Sequence, residues 1–237
     1  MIASFFDINN VFFTLWDYPM SYLEFFGTVL NIVTVWLCAR KSVWNWPIGI
    51  AAVILFGVLF YQIQLYSDFL EQVYYFLTGF WGWWVWSRLR KSSKDGGNAE
   101  TISRNTLSEN AAWGVALVIG TLALGAFMAR IDTIFPQWFP EAASFPYLDA
   151  FTTVASFIAQ ILLIRQRLEN WYLWITVDII GVWLYYEKEV KFVSVLYFIF
   201  LIIATSGLIR WQRKWQQSRA VSEDESVLIA GKEAEAV

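Results

Sequence analysis

The chain carries one pattern of residues twice, and this duplication constrains the fold more than any other feature. Residues 45–86 and 170–211 align without a gap at an offset of 125 positions. A fixed-offset match of this length is typical of a duplicated structural unit. The sequence therefore predicts two copies of one unit, over residues 20–90 and 146–215. The identical pairs within the aligned stretches include Asn45/Asn170, Trp46/Trp171, Ile50/Ile175, Leu59/Leu184, Tyr61/Tyr186, Gly82/Gly207 and Trp86/Trp211.

The composition places the duplicated unit in a membrane. Hydrophobic residues make up 58% of the chain and charged residues 16%, whereas soluble domains carry about a quarter charged residues. Nearly uncharged runs recur at the length that a membrane span needs, roughly twenty residues. The sequence thus predicts an all-α, polytopic membrane protein with seven transmembrane helices. The predicted spans are residues 20–39, 45–64, 69–87, 111–129, 147–164, 170–187 and 191–210.

The charges of the loops predict the orientation. Basic residues follow the first, third, fifth and seventh predicted spans, and basic loops face the cytoplasm. The N-terminus is therefore expected outside and the C-terminus inside. Because each unit has three spans, a copy that followed directly would cross the membrane in the opposite direction. The span at 111–129 has no copy, and its extra crossing gives both units the same direction. We expect two parallel three-helix repeats joined by a linker helix, in a 3+1+3 order.

The remaining segments complete the predicted organisation. Residues 1–18 are interpreted as an interfacial N-terminal segment with a short helix lying on the membrane. Residues 91–145 form a linker that includes the fourth span, and residues 216–237 a cytoplasmic tail whose acidic part is expected to be disordered. Ser21 with Glu24 predicts a capping box at the first span. The small residues Ala112, Ala116 and Gly120 predict close packing of the fourth span.

Several kinds of chemistry are excluded by what the sequence lacks. It contains no histidine and one cysteine, Cys38, so neither a Ser-His-Asp triad nor a histidine or thiolate metal site can form. No P-loop motif occurs, and the small net charge of −3 argues against nucleic acid as a partner. We therefore expect no catalytic residue, no cofactor and no metal. A polar path through a helix bundle remains.

Asp178 is the foremost candidate for a functional residue. It lies near the middle of the sixth predicted span, where a charge is costly, and its counterpart in the first repeat is Val53. Trp174, Asp178 and Tyr185 fall on one helix face, together with Gly181. The alternative is a carboxylate bonded to a neighbouring helix for packing alone, and we favour the functional interpretation.

Other polar and aromatic residues extend the candidate site. Ser156 and Gln160 form a second stripe on the fifth span, where Gln160 can either contact a ligand or bond to another helix. Trp183 is deep enough in its span to stack on a ring, whereas the four Trp residues shared by the repeats are interpreted as an interfacial belt. The remaining candidates on the third and seventh spans are Gln72, Tyr75 and Tyr197.

The motifs resemble those of a known family. They are N-W-P at 45–47, L-Y-S-D at 65–68, G-W-W-x-W at 82–86, D-A-x-T-T-V-A-S-F at 149–157 and R-L-E-N-W at 167–171. Over residues 20–215 the chain resembles the PnuC-type vitamin transporters, and among them those for nicotinamide riboside. The resemblance implies a SWEET-like fold, a homotrimer in the bacterial inner membrane among its lipids, and facilitated diffusion with trapping by cytoplasmic phosphorylation. One departure is Tyr172, where the family often has proline.

Three functions stay open at this point. The first is a nicotinamide riboside transporter, whose cationic ring, carboxamide and ribose suit aromatic, amide and carboxylate side chains. The same resemblance also allows a transporter of thiamine or riboflavin. The second is a membrane-embedded enzyme that modifies lipids, and the third is a structural or receptor subunit of a larger transporter. The lack of histidine and of clustered acids counts against the enzyme.

Overall fold

The computed structural model of the chain describes residues 5–15, 18–62, 66–94, 102–137, 145–187 and 191–235. Internal contacts divide it into two compact units, residues 1–99 with 198–207 and residues 100–197 with 208–237. The first unit begins with an antiparallel hairpin of β1 (Val11–Leu15) and β2 (Tyr18–Ser21). Its helices are α1 (Tyr22–Ala39), α2 (Asn45–Gln62) and α3 (Tyr66–Lys94), and α2 packs on both others.

The second unit contains the span without a copy and the second set of helices. In it, α6 packs against both α4 and α7. The last helix, α8, contributes residues to both units. The helices are α4 (Leu107–Met128), the short α5 (Ile131–Ile134), α6 (Pro146–Ile164), α7 (Asn170–Glu187) and α8 (Lys191–Glu235).

The predicted duplication appears in the backbone. Helices α2 and α7 begin and end 125 residues apart, as do the ends of α1 and α6 and the starts of α3 and α8. Lys41 and Gln166, also 125 apart, are the non-glycine residues with positive φ in the described chain, at 58° and 54°. Because such a conformation is uncommon outside glycine, its recurrence in the same turn is independent structural evidence for the repeat.

The same turn has the same side-chain fastening in both copies. Asn45 Nδ2 donates a hydrogen bond to the carbonyl of Ser42 at 2.6 Å, and Asn170 Nδ2 donates one to the carbonyl of Arg167 at 2.5 Å. In each case the asparagine opens the second helix of its repeat and bonds back into the turn that precedes it. The N-W motif therefore fixes how the chain re-enters a helix after a tight turn.

Five helices are long and apolar enough to cross a membrane, counted over the described residues. The other two helices predicted to span, α3 and α7, are 29 and 18 residues long. They are less apolar because they combine many Trp and Tyr residues with acids such as Glu71 and Asp178. The chain is thus a multi-pass helical membrane protein. The five apolar segments are Tyr22–Ala39, Asn45–Gln62, Leu107–Met128, Pro146–Ile164 and Phe192–Ala220.

The predicted capping box is confirmed, and the predicted row of small residues on α4 is confirmed in part. Ser21 and Glu24 form the capping box of α1, with both reciprocal hydrogen bonds present. Gly120 lets α4 approach α6, because a Cβ there would lie 2.9 Å from Val154 Cγ1. Ala112 and Ala116 of the same small-residue row are exposed instead.

The N-terminal segment is a hairpin over its described later part, and the predicted interfacial helix is wrong there. Val11 to Thr14 are β-branched and aromatic residues, which favour strands. The ring of Phe12 packs 4.7 Å from that of Tyr22, and Tyr18 donates a 2.6 Å hydrogen bond to Glu24 Oε1. Burial and this hydrogen bond raise the pKa of Tyr18. The hairpin is thereby held to the first turn of α1.

The tail also differs from its prediction, because α8 continues as one helix to Glu235. The acidic stretch expected to be disordered contains four Glu and three Ala residues together with Leu228 and Lys232, which are good helix formers. In the part of α8 that precedes this stretch, the guanidinium groups of Arg219 and Arg104 lie over the ring of Trp215, at 5.4 Å and 5.1 Å from its centroid. Local helix propensity thus prevails over the charge pattern.

Candidate functional site

Asp178 is a buried carboxylate in the middle of α7. Its side chain is 5% exposed, and no described residue donates a hydrogen bond to it. A buried polar group without a partner costs free energy, and a buried charge costs more. Its counterpart Val53 occupies the same helical position with an apolar side chain. The arrangement therefore provides a binding group for a polar or cationic ligand that can reach the carboxylate.

An aromatic pair lies on the same face of α7. Tyr185 stacks on Tyr197 of α8, with ring centroids 5.3 Å apart and planes inclined by 18°. The ring of Tyr197 also covers Gly181, where a Cβ would overlap it. Gly181 and Tyr185 follow Asp178 by three and seven residues, so all three share one helix face. The absence of a side chain at Gly181 thus allows an aromatic surface beside the carboxylate.

The start of α8 is fastened to α7 next to this pair. Ser194 is 7% exposed, and its Oγ donates a hydrogen bond to the carbonyl of Val182 at 2.8 Å. This bond crosses from the first turn of α8 to the residue after Gly181. It fixes the position from which Tyr197, one turn further along α8, reaches over α7.

The predicted stripe on α6 is buried in the same unit. Ser156 is 6% and Gln160 8% exposed, and α6 packs directly on α7. Trp174 is half-buried and precedes Asp178 by one turn on its face. The second unit therefore holds a carboxylate, an amide, a hydroxyl and three aromatic rings on two adjoining helices and the start of α8.

Trp183 is placed differently from the other candidates of α7. It is 50% exposed and packs edge-to-face on Phe145, with ring centroids 6.0 Å apart. Five residues advance an α-helix by about 140° around its axis beyond a full turn. The structure consequently directs Trp183 away from the face that carries Asp178.

Gln72 and Tyr75 belong to the first unit. Gln72 Cβ lies 3.7 Å from the position that a Cβ at Gly57 would take, and Tyr75 Oη donates a hydrogen bond to Glu71 Oε1 at 3.4 Å. Both side chains are half-buried. Their described contacts are made with α2 and within α3, so they form a polar group of their own in the first repeat.

The four repeated Trp residues form two buried pairs, and the prediction of an interfacial belt is wrong for them. Trp46 meets Trp86 at 5.4 Å and 86°, and Trp171 meets Trp211 at 5.5 Å and 83°. All four are at most 3% exposed. The physical reason is the tight turn that precedes each N-W motif, which directs the indole toward the third helix. In the first repeat the indole lies over Gly82, where a Cβ would overlap it.

These pairs also contain polar groups that sequence reasoning did not select. Trp46 Nε1, Trp171 Nε1 and Asn170 Oδ1 are buried without a hydrogen-bond partner among the described residues. Each such group costs roughly 1–3 kcal/mol in a folded protein. The repetition of N-W at the same distance before Gly82 and Gly207 was the signal that could have identified them, because in the first repeat the glycine lies opposite the indole.

Similarity to known proteins agrees with these features. The sequence pattern of the family described as nicotinamide mononucleotide transporter matches residues 21–213. The nicotinamide riboside transporter PnuC of Escherichia coli strain K12 is 30% identical, over 92% of this chain and 99% of that protein. The riboflavin/roseoflavin transporter RibM of Streptomyces davaonensis is 25% identical, over 90% of this chain and 93% of its own.

A solved structure supports the fold. The crystal structure of the vitamin B3 transporter PnuC superimposes with a TM-score of 0.61 at 23% identity, covering 83% of each chain. Buried polar groups within a bundle of apolar helices, together with these relatives, define the protein as a multi-pass membrane transporter and not an enzyme. The chain belongs to the nicotinamide mononucleotide transporter family.

Proposed function

We propose that this protein carries nicotinamide riboside across the membrane, with the ligand bound at the face of α7 that carries Asp178. The observation behind the proposal is the 5% exposed carboxylate for which no described residue is a partner. A pyridinium ring is cationic and flat, so it would pair with the carboxylate and stack on Tyr185 and Tyr197. The relative of Escherichia coli named for this substrate supports the same ligand.

The remaining candidates have separate roles in the proposal. Gln160 and Ser156 offer an amide and a hydroxyl for the carboxamide and ribose, and Trp174 closes the same face. Gln72 and Tyr75 are proposed as ligand contacts within the first repeat, in the polar group that they form there with Glu71. Trp183 is proposed only as an outer contact, since it is half-exposed on another face of α7.

Riboflavin is the second candidate substrate, because the RibM relative covers nearly the whole chain. Its ring system is neutral, so it would gain less from Asp178 than a pyridinium does. Titration of the purified protein with nicotinamide riboside, nicotinamide, thiamine and riboflavin separates these possibilities. We expect nicotinamide riboside to bind at least tenfold more tightly than neutral nicotinamide; equal affinity for the two would contradict a role for the carboxylate.

The proposed architecture is seven transmembrane helices in a 3+1+3 order, with the domains divided as the sequence predicts and a SWEET-like arrangement. The protein lies in the bacterial inner membrane, with its N-terminus outside and its C-terminus in the cytoplasm. The basic residues that follow the first and fifth spans support parallel repeats, in which Arg40 and Arg165 would face the same side of the membrane. Single cysteines at these two exposed positions, in a Cys38→Ala background, should react with a membrane-impermeant reagent from the cytoplasmic face only. Labelling from opposite faces would exclude parallel repeats.

We further propose downhill transport by a homotrimer, with accumulation driven by phosphorylation of the substrate in the cytoplasm. The described residues contain no group of three potential metal ligands, and the sequence has no histidine for a proton relay. Vesicles with an imposed sodium or proton gradient test this point. Ligand accumulation above the outside concentration in response to either gradient would refute uncoupled transport, whereas it would leave the substrate assignment intact.

A further inference from the structure

A cavity lies in the second unit, apart from the face of Asp178. It is bordered by the first turns of α4, the end of α6 and the start of α7, and has a volume of about 550 Å³. This size is within the range of ligand-binding cavities. Residues 102–106, here called the strap, close one end of it.

The strap is fixed to the turn between α6 and α7. Its Ser103 N–H donates to the carbonyl of Gln166 at 3.2 Å, and the N–H of Leu168 donates to the carbonyl of Ser103 at 2.9 Å. Arg167 Nη1 also donates to the carbonyl of Arg104 at 2.7 Å. These bonds hold Arg104 at the edge of the cavity, so its position is set by the fold and not by a free loop.

The edge of the cavity at the strap is polar and carries positive charge. Arg104 Nε lies 3.7 Å from Glu169 Oε1, and Arg104 Nη2 donates to Tyr172 Oη at 3.3 Å. The guanidinium has five N–H donors, and the side chain is 42% exposed, so donors remain for a ligand. The guanidinium of Arg165 lies 5.9 Å above the ring of Trp113 in the cavity wall. Together with Arg167, the cations here outnumber the acids Glu109 and Glu169.

The opposite part of the cavity is apolar. Leu117, Ile158, Leu162 and Leu173 line it, and α4 is itself one of the membrane-spanning segments. Gly114 also lines it, and a Cβ added there would meet no atom within 4 Å. The cavity thus runs from a cationic edge at the start of a membrane span to an apolar part further along the same span.

We propose that this cavity binds an anionic glycerophospholipid, with the phosphate diester at Arg104 and an acyl chain along Gly114 and Leu162. Charge complementarity favours the phosphate, since guanidinium groups bind phosphate oxygens through paired N–H donors. The apolar part argues for a lipid over a soluble phosphate ester, whose hydrophilic remainder would have to be desolvated there. The site is independent of the proposed transport substrate.

The first test fills the apolar part. Gly114→Phe adds a ring where the protein leaves open space, so the variant should fold. Val115→Phe is the matched control, because Val115 is 57% exposed on the same helix and does not line the cavity. Native mass spectrometry and titration of delipidated protein with dioleoylphosphatidylglycerol should give at least tenfold weaker binding for Gly114→Phe and binding within twofold of the parent for the control. Unchanged binding by Gly114→Phe would overturn the proposal.

The second test addresses the charge and the source of the phosphate. Arg104→Gln should weaken phosphatidylglycerol binding about tenfold, whereas Arg90→Gln, an exposed charge on α3, should leave it within twofold. Dioleoylphosphatidylcholine should bind the parent at least tenfold less tightly. Equal binding of the two lipids would contradict the anionic preference. Displacement of the lipid by an equal concentration of glycerol 3-phosphate would identify a soluble phosphate ligand and overturn the lipid.

Discussion

The two repeats share one backbone and differ in the polar groups that it holds. Both have the positive-φ turn, the asparagine that bonds back into it and the edge-to-face Trp pair, with ring distances that agree to 0.1 Å. Yet the second repeat carries Asp178, Gln160 and Tyr185 where the first has Val53, Val35 and Phe60. The shared features are those that shape the turn and the core. The differences lie along the faces that we propose for the ligand.

The sharpest test of this contrast is Asp178→Asn against Val53→Asn. We expect Asp178→Asn to weaken nicotinamide riboside binding about 10- to 100-fold, equivalent to about 1.4–2.7 kcal/mol, because the neutral amide loses the attraction to the pyridinium. Its stability should be kept or raised, since an amide costs less to bury than a carboxylate. Val53→Asn puts the same side chain at the equivalent position and should leave affinity within about twofold. Titration calorimetry and thermal unfolding in detergent measure both effects.

Either of two outcomes would break the comparison. If Asp178→Asn fails to fold, the carboxylate serves packing, which is the alternative that the sequence left open. If Val53→Asn weakens binding as much as Asp178→Asn, the first repeat contributes equally to the ligand and the asymmetry between the repeats has no functional meaning.

The glycines that face the third helix of each repeat provide the second test. Gly181→Ala would drive a methyl group into the ring of Tyr197 and should destabilise the protein by about 1–2 kcal/mol, as overpacking does. Gly57→Ala meets Gln72 Cβ at an ordinary 3.7 Å and should stabilise its helix by up to about 1 kcal/mol. Thermal unfolding midpoints should therefore move in opposite directions. Parallel shifts would show that Tyr197 is not held tightly against α7.

The sequence predicted the repeat, the helices and the capping box because these depend on patterns local to the chain. Ser21 with Glu24 and the offset of 125 residues are readable without any tertiary contact. It did not predict that Trp46 and Trp171 turn inward, because their aromatic character suits a membrane interface equally well. The direction of the indoles is set by the backbone of the preceding turn, which has positive φ at Lys41 and Gln166. Neither position is a glycine, so the sequence does not indicate this conformation.

Part of the candidate site could likewise be predicted from the sequence. Helical spacing was sufficient to group Asp178 with Gly181 and Tyr185, and the structure adds the stacking of Tyr197 upon them. The spacing also puts Trp183 on a different face from Asp178. It was nevertheless predicted as a stacking residue because it lies deep in its span. The cavity under the strap had no sequence signal, since it arises where Arg104 meets the α6–α7 turn across a long separation in sequence.

The third test asks whether the Trp pairs are equivalent in energy as well as in geometry. Trp46→Phe and Trp171→Phe each remove a buried N–H that has no described partner, and each leaves a small void against the partner ring. The void should dominate and cost about 1 kcal/mol, with the two variants agreeing within about 0.5 kcal/mol. Thermal unfolding of both variants under one condition measures the difference. A cost confined to Trp171→Phe would mean that the second repeat relies on its core pair more than the first.

The smallest effect is expected at the turn itself. Glycine adopts positive φ without the steric cost that other residues have, so Lys41→Gly should stabilise the first turn by about 0.5–1 kcal/mol. Gln166→Gly relieves the same backbone but also removes a side chain that is 3% exposed, and the lost packing should cancel the gain. The hydrogen bond from Ser103 N–H to the Gln166 carbonyl is a backbone contact and should persist in the variant. The unfolding midpoint should thus rise by a few degrees for Lys41→Gly and stay near the parent for Gln166→Gly. A rise of equal size in both variants would show that the Gln166 side chain adds nothing to the stability of the second turn. A fall in the midpoint of Lys41→Gly would show that the lysine side chain stabilises the first turn by more than its positive φ costs.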